Sequence, residues 1–337
     1  MILVTGATGI LGSQILLQLL MKGEKVVATR RSSSKVEELR KIFSYYTDQA
    51  EKYYQQIEWR NIDFQDIDSI SAVLEGITKV YHCAASVSFH PKDKNKLYHT
   101  NIEGTRNLLY ACEGSSVTDF CFISSIAVLD GINENGEMDE FSDFKSALPH
   151  SPYSKSKHFS EMEVWRASAE GLNVVILLPG VILGSGNWSQ SSGVLFSTLE
   201  KNKFNFSGGT SYVDVRDVAK IGISLMDEKA FGERYIVVAG QDYYKNVATK
   251  VRQKLGLSQP SIISDELLKF ARFFKFLGFL IPSLQLLTKE NIESLTSYHK
   301  ISNQKVKNRL DYQFISIGES IDFHLQHYIN DKKNYKS

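Results

Sequence analysis

The sequence predicts an α/β protein: a doubly wound parallel sheet with a smaller, mostly helical lobe at the C-terminal side. Three observations predict this fold. Short apolar runs alternate with helical patterns through the first 240 residues, a glycine-rich turn follows the first run, and the chain after about Gly240 is mainly helical in pattern. Such alternation is typical of parallel strands joined by crossover helices. We expect a sheet domain formed by 1–180 with 210–240, and a substrate-binding lobe formed by 181–209 with 241–337.

The composition fits a globular protein and excludes several classes of partner. The chain has 337 residues, of which 42% are hydrophobic, and its 39 Lys and Arg nearly balance 38 Asp and Glu. A net charge of +1 leaves no broad basic surface for nucleic acid. The three cysteines are scattered, so we expect neither a metal site nor disulfides, and a reducing compartment. Because a strand pattern begins at Met1, with no signal peptide before it, we expect the cytoplasm.

The first strand and the turn after it predict a dinucleotide site. Ile2-Leu3-Val4 is a short apolar run that ends at Thr5-Gly6-Ala7-Thr8-Gly9-Ile10-Leu11-Gly12, and a helical pattern follows. Gly6 permits a tight turn, Gly9 lets the backbone approach a pyrophosphate, and Gly12 lets the helix pack closely on the sheet. The expected cofactor contacts in this turn are Gly6, Thr8, Gly9, Ile10, Leu11 and Gly12.

The second strand, 25–29, is followed by residues that indicate which dinucleotide binds. This strand end meets the adenosine ribose, where an NAD site would want a carboxylate. The chain instead supplies Arg30 and Arg31, followed by Ser32 to Ser34. Guanidinium groups match phosphate oxygens, so NADP is preferred and NAD is the less favoured alternative. The polar stretch from Ser34 to about Tyr54 is predicted to be helical and exposed.

The third and fourth strands should end at the same crevice. The third, 57–62, precedes Asp63 and Phe64, and Asp63 could accept a hydrogen bond from an adenine amine or simply belong to a turn. The fourth, 79–85, ends in Cys83, Ala84 and Ala85, whose small side chains would let the backbone lie against a flat cofactor. We interpret His82 as a packed strand residue rather than a catalyst.

The fifth to seventh strands bring further polar and turn residues to this edge. Residues 119–123 end at Ser124 and Ser125, 174–178 end at Pro179-Gly180-Val181, and the seventh strand covers 235–238. Ligands in open α/β sheets bind outside the carboxyl ends of the strands, so Ser124, Pro179 and Val181 are expected cofactor contacts. A crossover helix is predicted over 101–112.

A candidate acid/base pair lies in Ser151-Pro152-Tyr153-Ser154-Lys155-Ser156-Lys157. Ser151 is a good N-cap and Pro152 a good first helical residue, so Tyr153 and Lys157 share one helical face. A neighbouring ammonium stabilises a phenolate, so we expect the pKa of Tyr153 to be lowered and Tyr153 to transfer a proton.

Together these motifs resemble the extended short-chain dehydrogenase/reductase family, also described as NAD-dependent epimerase/dehydratase-like, whose sheet domain is Rossmann-like. The resemblance covers nearly the whole chain and includes Asn101-Ile102-Glu103-Gly104-Thr105-Arg106-Asn107, Leu178-Pro179-Gly180-Val181 and Tyr212-Val213-Asp214-Val215-Arg216-Asp217-Val218-Ala219. It implies that Tyr153 exchanges a proton with a carbonyl or hydroxyl, that Lys157 holds the nicotinamide ribose, and that Ser125 orients the substrate oxygen. Ser124 remains an alternative to Ser125. Asn101 is implied to lie at a helix irregularity near the proton relay.

The resemblance also bears on substrate and assembly. Ile126-Ala127 replaces the acidic pair of the dehydratases, and Val128-Leu129-Asp130 departs from the epimerase pattern. The dihydroflavonol reductase and 3β-hydroxysteroid dehydrogenase branch is closest, which implies a ketone or secondary alcohol on a small apolar or cyclic molecule. A nucleotide-sugar epimerase and a non-catalytic NADP-sensing protein are the alternatives. The family further implies a homodimer through helices at 95–112 and 152–168.

The most apolar stretch, 270–287, is interrupted by Arg272, Lys275, Pro282 and Gln285, so a transmembrane segment is not expected. Its aromatic residues fit an apolar substrate or contact with a membrane surface; they are Phe270, Phe273, Phe274, Phe276 and Phe279. A buried pair of helices covering the substrate lobe is the preferred interpretation.

Overall fold

The computed structural model describes residues 1–31, 36–188, 193–275 and 282–334. The strands are β1 (Ile2–Thr5), β2 (Val26–Arg30), β3 (Glu58–Asn61), β4 (Lys79–His82), β5 (Asp119–Ile123), β6 (Asn173–Pro179), β7 (Val181–Leu183), β8 (Phe204–Asn205), β9 (Gly209–Asp214), β10 (Glu233–Val237), β11 (Gly240–Tyr243) and β12 (Ser261–Ile262). The helices are α1 (Ile10–Met21), α2 (Glu38–Ser44), α3 (Ala50–Tyr54), α4 (Ile67–Val73), α5 (Lys94–Leu97), α6 (Gly104–Glu113), α7 (Pro152–Ala169), α8 (Val194–Lys201), α9 (Val215–Asp227), α10 (Tyr244–Lys254), α11 (Asp265–Arg272), α12 (Lys289–Thr296), α13 (Gln304–Leu310) and α14 (Ile317–Asn334).

The main sheet confirms the predicted Rossmann-like architecture. Its seven strands lie in the order β10-β6-β5-β4-β1-β2-β3, and every neighbouring pair is parallel. The chain builds outward from β1 to β3 and then returns to place β4 on the other side of β1. Because the direction of winding reverses between β1 and β4, a crevice opens there at the carboxyl ends of the strands.

Helices cover both faces of this sheet. Leu3 and Val4 are both fully buried, but they point into different hydrophobic clusters on opposite faces. α1 and α9 pack on one face, and α6 and α7 contribute to the cluster on the other. Burial on both sides explains why the strands are continuous apolar runs rather than alternating ones.

The polar stretch before residue 54 is more buried than predicted. It forms two helices, α2 and α3, instead of one exposed helix, and α2 buries Leu39, Ile42 and Phe43 in the core. Spacing of three and four residues puts these side chains on one face, which a count of polar residues does not reveal.

The part after Gly240 is mostly helical, as predicted, but it contains strands that the sequence did not indicate. These strands, β11 and β12, pair with earlier ones. β11 lies beside β9 and β9 beside β7 in a small sheet, and β12 pairs with β8. The division of the chain into a sheet domain and a lobe at the residues given above stays a prediction.

The aromatic stretch near residue 270 differs from the expected buried helix pair. Phe270 and Phe273 are 60% and 74% exposed, and Leu268 is the buried residue of α11. Phe276 and Phe279 lie outside the described residues. No helix in the described ranges is long and apolar enough to cross a membrane.

Candidate active site

The glycine turn after β1 has the geometry of a phosphate cradle. Gly6 adopts a φ of 66°, which favours glycine, and a Cβ there would lie 2.7 Å from the backbone nitrogen of Ala84. A Cβ on Gly12 would lie 2.3 Å from the carbonyl oxygen of Gly6. Gly9 precedes α1 and caps it without a side chain. At its glycines the turn therefore exposes backbone at the start of a 12-residue helix, which suits a pyrophosphate.

Two sites predicted for the adenosine end of the cofactor lie at neighbouring strand ends. The Nε of Arg30 donates to Oδ1 of Asn61 at 3.0 Å, and Arg31 is exposed beside it. Asp63 accepts from the backbone of Gln65 at 3.0 Å, so one of its oxygens already stabilises a turn. Ser32, Ser33 and Ser34 lie outside the described residues.

Phe64 and the end of β4 pack against the elements beside the crevice. The Phe64 ring lies 5.6 Å from that of His82, and a Cβ on Gly104 would lie 3.3 Å from Phe64. β4 ends at His82, shorter than predicted, so Cys83, Ala84 and Ala85 follow it as extended backbone beside the glycine turn.

His82 is a packed strand residue, as we interpreted it. Its ring nitrogens bond the hydroxyls of Thr5 at 2.8 Å and Thr105 at 3.1 Å. Burial, with a smaller effect of the Lys157 charge, lowers the pKa of His82 to about 3. The ring is therefore neutral at ordinary pH and has no nitrogen left for catalysis.

The structure separates the two serines that follow β5. Ser124 is buried and its Oγ donates to Glu161 at 2.7 Å. Ser125 is partly buried and caps the short turn after it by accepting from the backbone of Ala127. Its side chain also interacts with the Tyr153 phenol in the direction that lowers the tyrosine pKa. Ser125, and not Ser124, therefore contacts the candidate acid/base residue.

Tyr153 lies in the first turn of α7, as its capping residues predicted. Ser151 accepts from the backbone of Ser154 and Pro152 begins the helix. Burial raises the pKa of Tyr153, and the hydrogen bond with Ser125 opposes that shift. The net direction is opposite to the lowered pKa expected from a neighbouring lysine, because removal from water disfavours the phenolate more than the interaction with Ser125 stabilises it.

Lys157 is 4% exposed and is held against the end of β5. Its Nζ donates to the carbonyl of Ile123 at 2.7 Å and lies 5.1 Å from the ring of Phe122. Burial lowers the pKa of Lys157 to about 8, although Cys83 and Glu161 oppose this shift. The ammonium thus has one donor fixed by the sheet.

Asn101 lies in a π-helical stretch, Tyr98–Glu103, at the helix irregularity that the resemblance implied. Its amide donates to the carbonyl of Ser86 and to Ser156 Oγ, both at 2.9 Å, and accepts from the backbone of Ser86 at 2.7 Å. Ser160 donates to the Asn101 carbonyl. Asn101 therefore joins α7 to the loop after β4.

The turn between β6 and β7 forms the remaining edge. Pro179 ends β6 and Val181 begins β7, and a Cβ on Gly180 would lie 2.5 Å from the carbonyl of Ser211 in β9. Only glycine allows this approach. Among the described residues, no group of three or more His, Cys, Asp or Glu side chains could hold a metal ion.

Two functional contacts were not predicted from the sequence. Glu161 lies one helical turn after Lys157, a spacing that could have indicated it. Phe89 lies 5.8 Å from Tyr153, ring centre to ring centre, on a loop whose sequence gives no such signal.

Comparison with known proteins identifies the family. The model of the NAD dependent epimerase/dehydratase family matches residues 2–240. Sterol demethylase protein B of Methylococcus capsulatus is 32% identical over 238 residues, which cover 70% of this chain and 68% of that protein. The decarboxylating sterol-4-alpha-carboxylate 3-dehydrogenase of Dictyostelium discoideum is 26% identical over 92% of this chain and 95% of that protein. The crystal structure of gox2253 superposes with a TM-score of 0.79, at 23% identity and 97% and 98% coverage, which shows the fold.

The description of the matching family names NAD as its dinucleotide. Three observations indicate the same dinucleotide-binding family: the seven-stranded parallel sheet, the glycine turn at its switch point and the match over residues 2–240. The chain therefore belongs to the NAD-dependent epimerase/dehydratase family, within the extended short-chain dehydrogenases/reductases.

Proposed function

We propose that this protein is an NADP-dependent oxidoreductase that reduces a ketone, or oxidises a secondary alcohol, on a small apolar or cyclic substrate. The observation that carries the proposal is the interaction of Ser125 with Tyr153, one helical turn before buried Lys157, which is held at the carboxyl end of β5. The two relatives named for sterols support the substrate class.

The proposed cofactor contacts follow the carboxyl ends of the strands. The residues of the turn would hold the pyrophosphate through their backbone, because a Cβ at Gly6 or Gly12 would clash with neighbouring backbone atoms. The residues proposed for this role are Gly6, Thr8, Gly9, Ile10, Leu11 and Gly12. Arg30 and Arg31 would bind the 2′-phosphate. The remaining proposed contacts are Asp63, Phe64, Cys83, Ala84, Ala85, Ser124, Tyr153, Lys157, Pro179 and Val181.

Proton handling would fall to residues of this chain, while bound nicotinamide would supply or accept the hydride. Tyr153 would pass its phenolic proton to the substrate oxygen, or take one from it. Ser125 would hold that oxygen by a hydrogen bond. Lys157 would stabilise the phenolate and bind the nicotinamide ribose with its remaining donors. Asn101 would keep α7 in register with the loop after β4.

The central test is Tyr153→Phe. It should abolish ketone-dependent NADPH oxidation, a loss of at least about 100-fold, since general acid catalysis contributes that much or more. NADPH should still bind, because the phenol is lost but the glycine turn is not. If turnover survived the substitution, Tyr153 would not be the proton donor of the reaction.

Two further measurements test the cofactor and the type of reaction. Wild-type protein should bind NADPH more tightly than NADH, and tighter NADH binding would contradict the role of Arg30 and Arg31. An epimerase would form product epimers without net consumption of cofactor, whereas the proposed reaction consumes one NADPH per ketone.

The homodimer through the helices at 95–112 and 152–168 stays a prediction, which the mass of the protein in solution would test. Both helices expose large apolar side chains that such an interface would cover: Tyr110, Phe159 and Met162, each about half exposed, at 49%, 47% and 52%.

A further inference from the structure

We propose that Phe89 is a specificity-determining residue that forms an apolar wall beside Tyr153 and selects substrates carrying an apolar ring next to the reacting carbon. The inference rests on the proposed function, since it takes Tyr153 as the group that meets the substrate oxygen. It adds the residue that chooses the substrate and the loop that holds this residue in place.

The Phe89 ring is both close to the candidate acid/base residue and open to solvent. Its ring centre lies 5.8 Å from that of Tyr153, and the two planes are inclined by 59°. Phe89 is 53% exposed, and Val87 on the same loop is 50% exposed. A molecule whose oxygen reaches the Tyr153 hydroxyl would therefore have the Phe89 ring within reach.

The polar groups at the start of this loop already have partners. Both backbone polar atoms of Ser86 bond the Asn101 amide. The hydroxyl of Ser88 donates to Asp93 at 2.5 Å and accepts from the backbone of His90 at 3.1 Å. The polar atoms of Ser86 and Ser88 thus stabilise the loop itself, while the apolar side chains of Val87 and Phe89 are exposed to solvent.

The end of the loop is fixed in the same way. His90 accepts from the backbone of Lys92 at 3.2 Å. Asn291 at the start of α12 donates to the Phe89 carbonyl at 3.1 Å and to the Leu286 carbonyl at 2.8 Å. These contacts tie the loop to the C-terminal part of the chain, so that the backbone carrying the Phe89 ring is held in place before a substrate binds.

This arrangement discriminates between two classes of substrate. Neither Phe89 nor Val87 can form a hydrogen bond through its side chain, so each sugar hydroxyl that faced them would lose its bond to water, which costs free energy. An apolar ring has no such cost and gains from removal of its surface and that of Phe89 from water. The wall therefore favours an alicyclic or aromatic ketone over a nucleotide sugar.

The test measures binding separately from turnover. 2-Decalone, a bicyclic apolar ketone, is titrated calorimetrically into the protein saturated with NADP⁺, which cannot donate hydride. Phe89→Ala should weaken 2-decalone binding about 10-fold, the usual scale for loss of apolar contacts in a pocket, and Phe89→Leu should weaken it less. Phe141→Ala is the matched control, because Phe141 is also exposed, at 85%. Its binding constant should equal that of the wild type.

Unchanged binding in Phe89→Ala would overturn the proposal, and so would a wild-type protein that does not bind 2-decalone at all. Equal weakening in Phe141→Ala would also overturn it, because the effect would not be local. The proposed function fails by a different result: if NADPH is not oxidised with 2-decalone while binding still depends on Phe89, the wall stands and the assigned reaction does not.

Discussion

Two buried carboxylates, Glu161 in α7 and Asp214 at the N-cap of α9, use the same chemistry in different parts of the molecule. Their side chains are 4% and 0% exposed, and each pairs with an arginine and accepts a hydrogen bond from a serine. Such a group is costly to bury unless every partner is present. What the two carboxylates hold together is different.

Asp214 joins the last helix of the described chain to the start of α9. Arg216 bonds it with two nitrogens, at 2.8 and 2.7 Å, while Ser320 and His324 reach it from α14 at 2.7 and 3.1 Å. Burial alone would raise the pKa of Asp214, but the hydrogen bonds from Arg216 and His324 hold it well below its usual range.

Glu161 joins elements of the sheet domain beside the candidate active site. It accepts from Ser124 at the end of β5 at 2.7 Å, and from Arg234 of β10 at 3.0 Å. Its charge also favours the ammonium form of Lys157, one helical turn earlier. The same arrangement, a buried carboxylate paired with an arginine and a serine, thus anchors α14 at Asp214. At Glu161 it sets the electrostatics of the candidate active site.

Breaking the Asp214 network should have the largest effect on stability. Asp214→Ala leaves Arg216, Ser320 and His324 without their shared acceptor, so we expect the free energy of unfolding to fall by about 3 to 5 kcal/mol. Urea denaturation followed by circular dichroism measures this. The control is Asp227→Ala, which removes a surface ion pair with Lys22 from a side chain 41% exposed and should cost about 1 kcal/mol or less. Equal losses would mean that Asp214 does not anchor α14.

Glu161→Gln tests the effect of the Glu161 charge on Lys157. The amide keeps the shape but loses the charge, so we expect a smaller loss of stability, about 2 kcal/mol. Burial lowers the pKa of Lys157 to about 8 and the Glu161 charge opposes this, so the variant should lower that pKa further. Because the proposed mechanism uses the Lys157 ammonium, the alkaline limb of the kcat/KM profile should move to lower pH.

Glu163→Gln is the matched control for this experiment. Glu163 lies on the same helix, 16% exposed, and pairs with Arg106 and Arg166 away from Lys157. The alkaline limb of the kcat/KM profile of Glu163→Gln should coincide with that of the wild type. A limb that stays in place in Glu161→Gln as well would reduce Glu161 to a purely structural residue.

Local patterns explain why much of the fold and site could be predicted. The seven strands of the main sheet, the turn at Gly6 and the helix that begins at Pro152 each depend on a few neighbouring residues. The strands β7, β9 and β11 could not be predicted because they are short and their pairing depends on distant partners. Glu161 shows the same limit, since its partner Arg234 lies 73 positions further along the chain.

The direction of a pKa shift was the harder prediction at the site itself. Helical spacing correctly put Tyr153 and Lys157 on α7, but it carries no information on burial. In the structure burial acts on both groups, raising the pKa of Tyr153 and lowering that of Lys157. Desolvation depends on every element packed around the crevice, and for this reason a seven-residue motif does not reveal it.

The smallest expected effect is the pH dependence that His324 gives to the Asp214 network. His324 is fully buried, with Nε2 against Asp214 at 3.1 Å and Nδ1 against Ser185 at 2.8 Å. Burial lowers the pKa of His324, although the charge of Asp214 opposes this. Below pH about 6.5 the unfolded chain therefore binds a proton that the folded protein does not, and stability falls as the pH falls.

His324→Gln removes this proton uptake together with the imidazole hydrogen bonds. At pH 7.5 the variant should be less stable than the wild type by about 1 to 2 kcal/mol. At pH 5 the difference should be smaller, because only the wild type pays for a neutral buried histidine. Urea denaturation at both pH values measures the two gaps. If the gap widened at pH 5, protonation would be stabilising the folded state, and His324 would bind Asp214 as an imidazolium ion rather than as a neutral ring.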